Sequence, residues 1–148
     1  VGNTPMDLIL LNLVLMGALD RDLSPLCEYC ETVSAATGVP IPANYPAVGQ
    51  DAFRTATGVH AAAVIKAFRK QDRELIDAVY SAVPASLVGR EQQIDIGPMS
   101  GKSNVVFWLE RRGIAANAEL VDRIFAKAKA SATVLTDSEI RAEIDAGG

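Results

Sequence analysis

The chain has 148 residues and a mass of 15.7 kDa, with 49% apolar residues, 22% charged residues and a formal net charge of −4. That length suffices for one core-bearing domain or two small subdomains, and it is far short of the roughly 250 residues that an eight-stranded α/β barrel needs. The apolar content excludes disorder, and the acidic balance, with a pI near 4.9, gives a nucleic-acid-binding surface no support.

Thr4-Pro5 followed by Asp7 has the form of a helix start, with Thr4 as N-cap, Pro5 in the first helical position and Asp7 as the capping-box partner. The helix it opens is expected to reach about residue 19 and is apolar on every side, so it must be buried all round. In so short a chain, that calls for a partner or a further domain. Asp7 and Asn12 interrupt the run, which falls short of the about 20 apolar residues of a membrane span. It also lacks the flanks of a signal peptide, so a cytoplasmic protein without a membrane partner is expected. The missing initiator Met and the abrupt apolar opening fit a chain that begins inside a larger gene product.

Ser24-Pro25 opens a second helix by the same device, ending near Thr37 with Gly38 as its stop. It carries the only two cysteines, Cys27 and Cys30, in Cys-Glu-Tyr-Cys. The spacing puts both on one helix face. A redox pair would need a preceding strand in a βαβ unit, and a structural zinc would need four ligands, so reduced, packed cysteines are the favoured reading. Residues 39–46 hold three prolines and read as an extended connector. A short helical turn over 51–57, helices over 59–70 and 72–80, and a strand-like alternation over 93–96 follow. Ser100 to Arg112 reads as a helix stopped by Gly113, Asn117 caps another that runs to about residue 130, and Thr136-Asp137-Ser138-Glu139 is a capping box for the last. The fold class expected is therefore mainly α, in small helical subdomains.

The run Gly97-Pro98-Met99-Ser100-Gly101-Lys102-Ser103 resembles a phosphate loop in its context, between a strand-like run and a helix. Three residues, not four, separate Gly97 from Gly101-Lys102, so a turn with a helix cap is the favoured reading. His60, the single histidine, stands at a helix start, where it could exchange a proton with a ligand or simply hold one backbone hydrogen bond. Arg54, Lys66, Arg69 and Lys70 lie around that helix, either as a solvated face or as an attractor for an anionic ligand.

Several strings together resemble one enzyme family. Pro46-Ala47-Val48-Gly49, Ala52-Phe53, Gly58-Val59-His60 and Val64-Ile65-Lys66 are similar to the region that follows the catalytic barrel in 2-isopropylmalate synthases and their homocitrate and citramalate synthase relatives. Gly2-Asn3 resembles the end of a Gly-Asn segment late in that barrel. Pro84, Val88-Gly89-Arg90 and Ser100-Gly101-Lys102 resemble the second linker subdomain. On this resemblance, residues 1–21 are the last helix of a truncated barrel, 22–89 a first helical linker subdomain and 90–148 a second.

The resemblance implies an enzyme that condenses acetyl-CoA with a 2-keto acid, 2-oxoisovalerate in the leucine pathway, and hydrolyses the thioester. It implies a homodimer and a divalent metal (Mg, Mn or Zn) in the full-length enzyme. Asn3 maps onto a metal-binding Asn, and His60 onto the His that reaches the neighbouring subunit's active site and assists proton transfer. Ala61-Ala62-Ala63, Met99 and Lys102 depart from the family's usual residues. The barrel's other metal ligands are not among these residues, so this segment by itself is expected to bind no metal and to be inactive. The alternatives are a homocitrate- or citramalate-type synthase, or a free-standing helical interaction or regulatory module.

Overall fold

In the computed structural model, which describes residues 3–147, the chain is mainly α: seven helices, one short 3-10 turn and two two-residue strands among the described residues. Contacts group it into two units interleaved in sequence, Val1–Phe53 with Ser81–Gln92, and Arg54–Tyr80 with Gln93–Gly148. The expected boundaries at 21 and 89 separate consecutive segments, and both fall inside the first unit.

The first unit holds α1 (Met6–Leu15), α2 (Leu26–Thr37), the proline-rich connector and the 3-10 turn Ala85–Val88. Leu11, Leu23, Leu26, Ala47 and Val88 form its core, with Cys27, Cys30 and Phe53 packed against them. The Arg90 Nη1 group donates to the carbonyl oxygens of Ala47 (3.1 Å), Val48 (3.3 Å) and Gly49 (2.7 Å). Its guanidinium lies 5.3 Å from the Phe53 ring centroid. One side chain thus satisfies three carbonyls of a segment that its prolines keep out of regular structure.

The start of α1 differs from expectation. Pro5, not Thr4, is the N-cap residue, and no side chain caps the helix. Asp7 instead accepts a hydrogen bond from the Tyr45 hydroxyl at 3.3 Å. The helix also stops at Leu15, short of residue 19, because Gly17 takes the left-handed conformation at φ 69°. There the Gly17 and Ala18 amides fold back onto the carbonyls of Val14 and Leu13. Burial on every side is not found within this chain. Leu11 is the one buried residue of α1, while Met6, Ile9 and Leu15 are exposed.

In the second unit, β1 (Arg54–Thr55) pairs in parallel with β2 (Gln93–Ile94), in the register Arg54 to Gln93 and Thr55 to Ile94. The helical turn expected over 51–57 is therefore replaced by turn residues and a strand. The physical reason is non-local: the Asp95 amide donates to the Thr55 carbonyl, and the Arg54 Nε donates to the Asp95 carboxylate at 2.7 Å. Helix α3 (Gly58–Lys70) packs on α4 (Arg73–Ala78) and on α5 (Lys102–Glu110). Helix α6 (Ala118–Ala130) packs on α5, and α7 (Asp137–Asp145) on α6.

Two clusters fill this unit. Ala61, Val64, Ile65, Ile94 and Phe107 form one, and a larger one includes Ile96, Val105, Trp108, Leu109, Ile124 and Ile140. The caps expected for α6 and α7 are present. The Asn117 side chain accepts from the Leu120 amide at 2.8 Å, and Thr136 and Glu139 bond reciprocally.

Candidate functional site

The first turn of α3 is held rigidly, and the reasons begin at the strand pair. Beyond β1 and β2, the carbonyls of Ala56 and Asp95 have no further strand to pair with. They turn to two buried side chains, Ser100 of the loop entering α5 and Asn104 of that helix's first turn. The Ser100 hydroxyl donates to Ala56 at 2.6 Å, and the Asn104 amide donates to Asp95 at 2.9 Å. Ser100 Oγ in turn accepts from the Gly97 amide, and Asn104 Oδ1 from the Gly101 amide. Ser100 is 2% exposed and Asn104 is fully buried, so these bonds are made away from competing water. Lys129 closes the loop from outside, donating to the carbonyls of Pro98 and Ser100 at 2.7 and 2.8 Å.

Helix α3 begins against this loop. The Gly58 amide donates to the Met99 carbonyl at 2.9 Å, and a β-carbon on Gly58 would stand 2.8 Å from the Gly101 nitrogen. Two residues on, His60 is exposed, and its ring stacks on Tyr80 with centroids 4.2 Å apart and planes inclined by 30°. Tyr80 itself is in the left-handed region at φ 56°, which costs a tyrosine backbone energy. Val59, Met99 and Tyr80 are all strongly exposed. The result is a fixed imidazole on an apolar surface, able to accept or give a proton to a group brought against it.

The other sequence candidates divide. Arg54 is committed to Asp95, and Arg69 lies 3.9 Å from Glu110, both exposed, while Lys66 and Lys70 face solvent. The Gly97–Ser103 run is a structural turn: Ser100 is spent on backbone carbonyls and Lys102 pairs with Asp122 at 2.5 Å. Cys27 and Cys30 are free thiols packed against the first unit's core, as expected.

Asn3 is exposed in the first unit and His60 belongs to the second, while Gly2 lies outside the described residues. No group of three or more His, Cys, Asp or Glu side chains among the described residues could hold a metal. These donors do not by themselves fit a divalent cation.

Tyr80, Ser100, Asn104 and Arg90 were not singled out for these roles by sequence. Asn104 offered a signal, an amide side chain three residues after Gly101 at a helix start. Tyr80 offered none, since its stacking depends on a left-handed turn after α4.

No helix among the described residues is long and apolar enough to cross a membrane. No family model matches the chain. It is similar to the homocitrate synthase of Pyrococcus horikoshii, 33% identical over 109 residues that cover 74% of this chain and 27% of that protein. It is similar also to the (R)-citramalate synthase of Aquifex aeolicus, 31% identical over 83% of this chain and 24% of that protein. A probable 2-isopropylmalate synthase of Archaeoglobus fulgidus is 32% identical over 70% of this chain and 19% of its own length. The chain spans about a quarter of the length of the curated relatives it matches.

Proposed function

Because the chain belongs to the 2-isopropylmalate and homocitrate synthase family, we propose that it is the helical, post-barrel part of an enzyme that condenses acetyl-CoA with a 2-keto acid and then hydrolyses the thioester. The enzyme is an acyltransferase that acts in the cytoplasm as a homodimer. The 2-keto acid we assign is 2-oxoisovalerate, on the pathway to leucine; 2-keto acids of homocitrate- and citramalate-type synthases are the alternative that the names of the relatives keep in view.

The observation that carries this reading is the His60 site. The condensation removes a proton from the acetyl methyl carbon, joins that carbon to the keto carbon and leaves an alkoxide oxygen to be protonated. Water then attacks the thioester and releases the CoA thiol. A proton must therefore leave one atom and reach another, and His60 is the one imidazole of the chain, presented on a rigid turn with Tyr80 stacked on it. An imidazole so placed can hold a proton and return it to the alkoxide oxygen. Val59 and Met99 flank it with apolar surface that would help to exclude water when the face is covered.

The family's divalent metal supplies polarisation of the keto carbonyl when bound. Asn3 is the donor this chain would offer it, with the remaining ligands drawn from sequence outside these residues.

The test is acetyl-CoA-dependent thiol release with a panel of 2-keto acids and added divalent metal, comparing the 148-residue chain with the product of the complete reading frame that contains it. Turnover by the longer protein with 2-oxoisovalerate supports the reading, and turnover with another 2-keto acid moves the assignment within the family. No turnover with any of them overturns it in favour of an interaction or regulatory module.

A further inference from the structure

The first unit has a groove of its own, with a volume of about 420 Å³, between the start of α1, helix α2 and the proline-rich connector. Asp7 of α1, Tyr29 and Val33 of α2, and Pro40, Ile41 and Tyr45 of the connector line it. The size is that of a small-molecule site, and the walls are mostly aromatic and aliphatic.

The polar groups of those walls divide in two. The Ser34 hydroxyl donates to the Val39 carbonyl at 2.6 Å and the Thr37 hydroxyl to the Val33 carbonyl at 2.8 Å, so both are committed to backbone. The Asp7 carboxylate is not. It is the one charged side chain lining the groove among the described residues, and it accepts a single long bond, from the Tyr45 hydroxyl at 3.3 Å. No basic side chain among the described residues forms an ion pair with it. A carboxylate has about four acceptor positions, so most of the capacity of Asp7 is left for a ligand or for water.

The charge around the groove selects the ligand's sign. The first unit carries seven acidic residues against two basic ones, Arg21 and Arg90. Arg90 is already committed to the carbonyls of Ala47, Val48 and Gly49. A cation is therefore attracted and an anion repelled. One carboxylate without further acidic or histidine donors does not hold a divalent metal, and no cluster of such donors is found among the described residues. A primary ammonium ion needs only one carboxylate, to which it gives a charge-assisted hydrogen bond.

We propose that this groove binds a small aliphatic ammonium ion. Its ammonium group donates to the Asp7 carboxylate, and its hydrocarbon body lies against Val33, Pro40 and Ile41. The rings of Tyr29 and Tyr45 suit both parts, since an aromatic wall accepts hydrocarbon and cation alike. The site lies wholly within the first unit and does not depend on the role given to His60.

The probe is isopentylamine, with isopentyl alcohol as its neutral counterpart of the same shape. Each is titrated at neutral pH into the 148-residue chain carrying ring-labelled tyrosine, followed by NMR. Of the three tyrosines, Tyr29 and Tyr45 line the groove, and Tyr80 in the second unit is the internal control. The amine should shift the Tyr29 and Tyr45 resonances saturably, leave Tyr80 unmoved and bind about tenfold more tightly than the alcohol. Asp7→Asn should lower the affinity for the amine to that for the alcohol. Val33→Trp, at an exposed position of α2, should fill the groove and abolish binding of both. Circular dichroism of each variant before titration shows that the helices are folded. Equal affinities for amine and alcohol in the wild type, a preference for the amine that survives Asp7→Asn, or no saturable shift up to about 20 mM amine would each overturn the proposal.

Discussion

Gly58 and Gly101 meet backbone to backbone: a β-carbon on Gly58 would lie 2.8 Å from the Gly101 nitrogen. This approach seats the first turn of α3 on the loop entering α5, and His60 inherits its position from it. Gly58→Ala must therefore push α3 away from that loop. Overpacking of this kind costs about 1–3 kcal/mol. We expect a lowered Tm together with a loss of the His60–Tyr80 stacking, read by calorimetry and by NMR of the histidine ring protons.

Tyr80 is expected to leave its mark on His60 directly. A ring 4.2 Å away shifts the imidazole proton resonances by its ring current. Tyr80→Ala should move both resonances of the single histidine, and Tyr80→Phe, which keeps the ring, should leave them close to wild type. Unchanged shifts in Tyr80→Ala would show that the rings do not stack in solution.

Asn104 is fully buried and satisfies the Asp95 carbonyl and the Gly101 amide. Asn104→Ala strands both groups without water and leaves a cavity, for a loss of about 2–4 kcal/mol in denaturant unfolding. Asn104→Asp keeps the acceptor for Gly101 but sets a carboxylate against the Asp95 carbonyl. It should fail to rescue at neutral pH.

The capping box of α7 gives the fold a pH dependence of known sign. Hydrogen bonds from the Thr136 amide and hydroxyl hold the Glu139 carboxyl below its usual range. A lowered folded-state pKa contributes stability that is present above the unfolded value and is lost as pH falls through the folded one. Glu139→Gln should therefore flatten the decline of α7 stability as pH falls below the unfolded glutamate value of about 4.3. Thr136→Ala should cost about 1 kcal/mol at neutral pH. Hydrogen exchange of the α7 amides reads both.

How much of this was legible in the sequence depends on how local each signal is. Asn117 and Thr136-Glu139 announced their helices because a cap and its amide lie three residues apart. Gly38 stopped α2 as expected, while Gly17 ended α1 earlier than its apolar run suggested. The strand at Arg54–Thr55 was hidden, since its stability comes from Gln93–Ile94 and Asp95, far along the chain. His60 was visible as a lone histidine at a helix start. Tyr80 was not, because its approach requires a left-handed residue after α4 that no local pattern marks. The apolarity of α1 showed how much surface needs cover and not what supplies it: Met6, Ile9 and Leu15 stay exposed among the described residues.

The most direct test of the account is the turnover of His60→Ala in the product of the complete reading frame, measured as acetyl-CoA-dependent thiol release beside the Tm of the same protein. His60 is exposed and makes its ring contact with Tyr80 at the surface, so its loss should leave the Tm within a few degrees of wild type. Loss of a proton-transfer group should lower kcat by about 10²–10⁴-fold. Wild-type turnover in the folded variant would contradict the role given to His60 and, with it, the functional reading of this face.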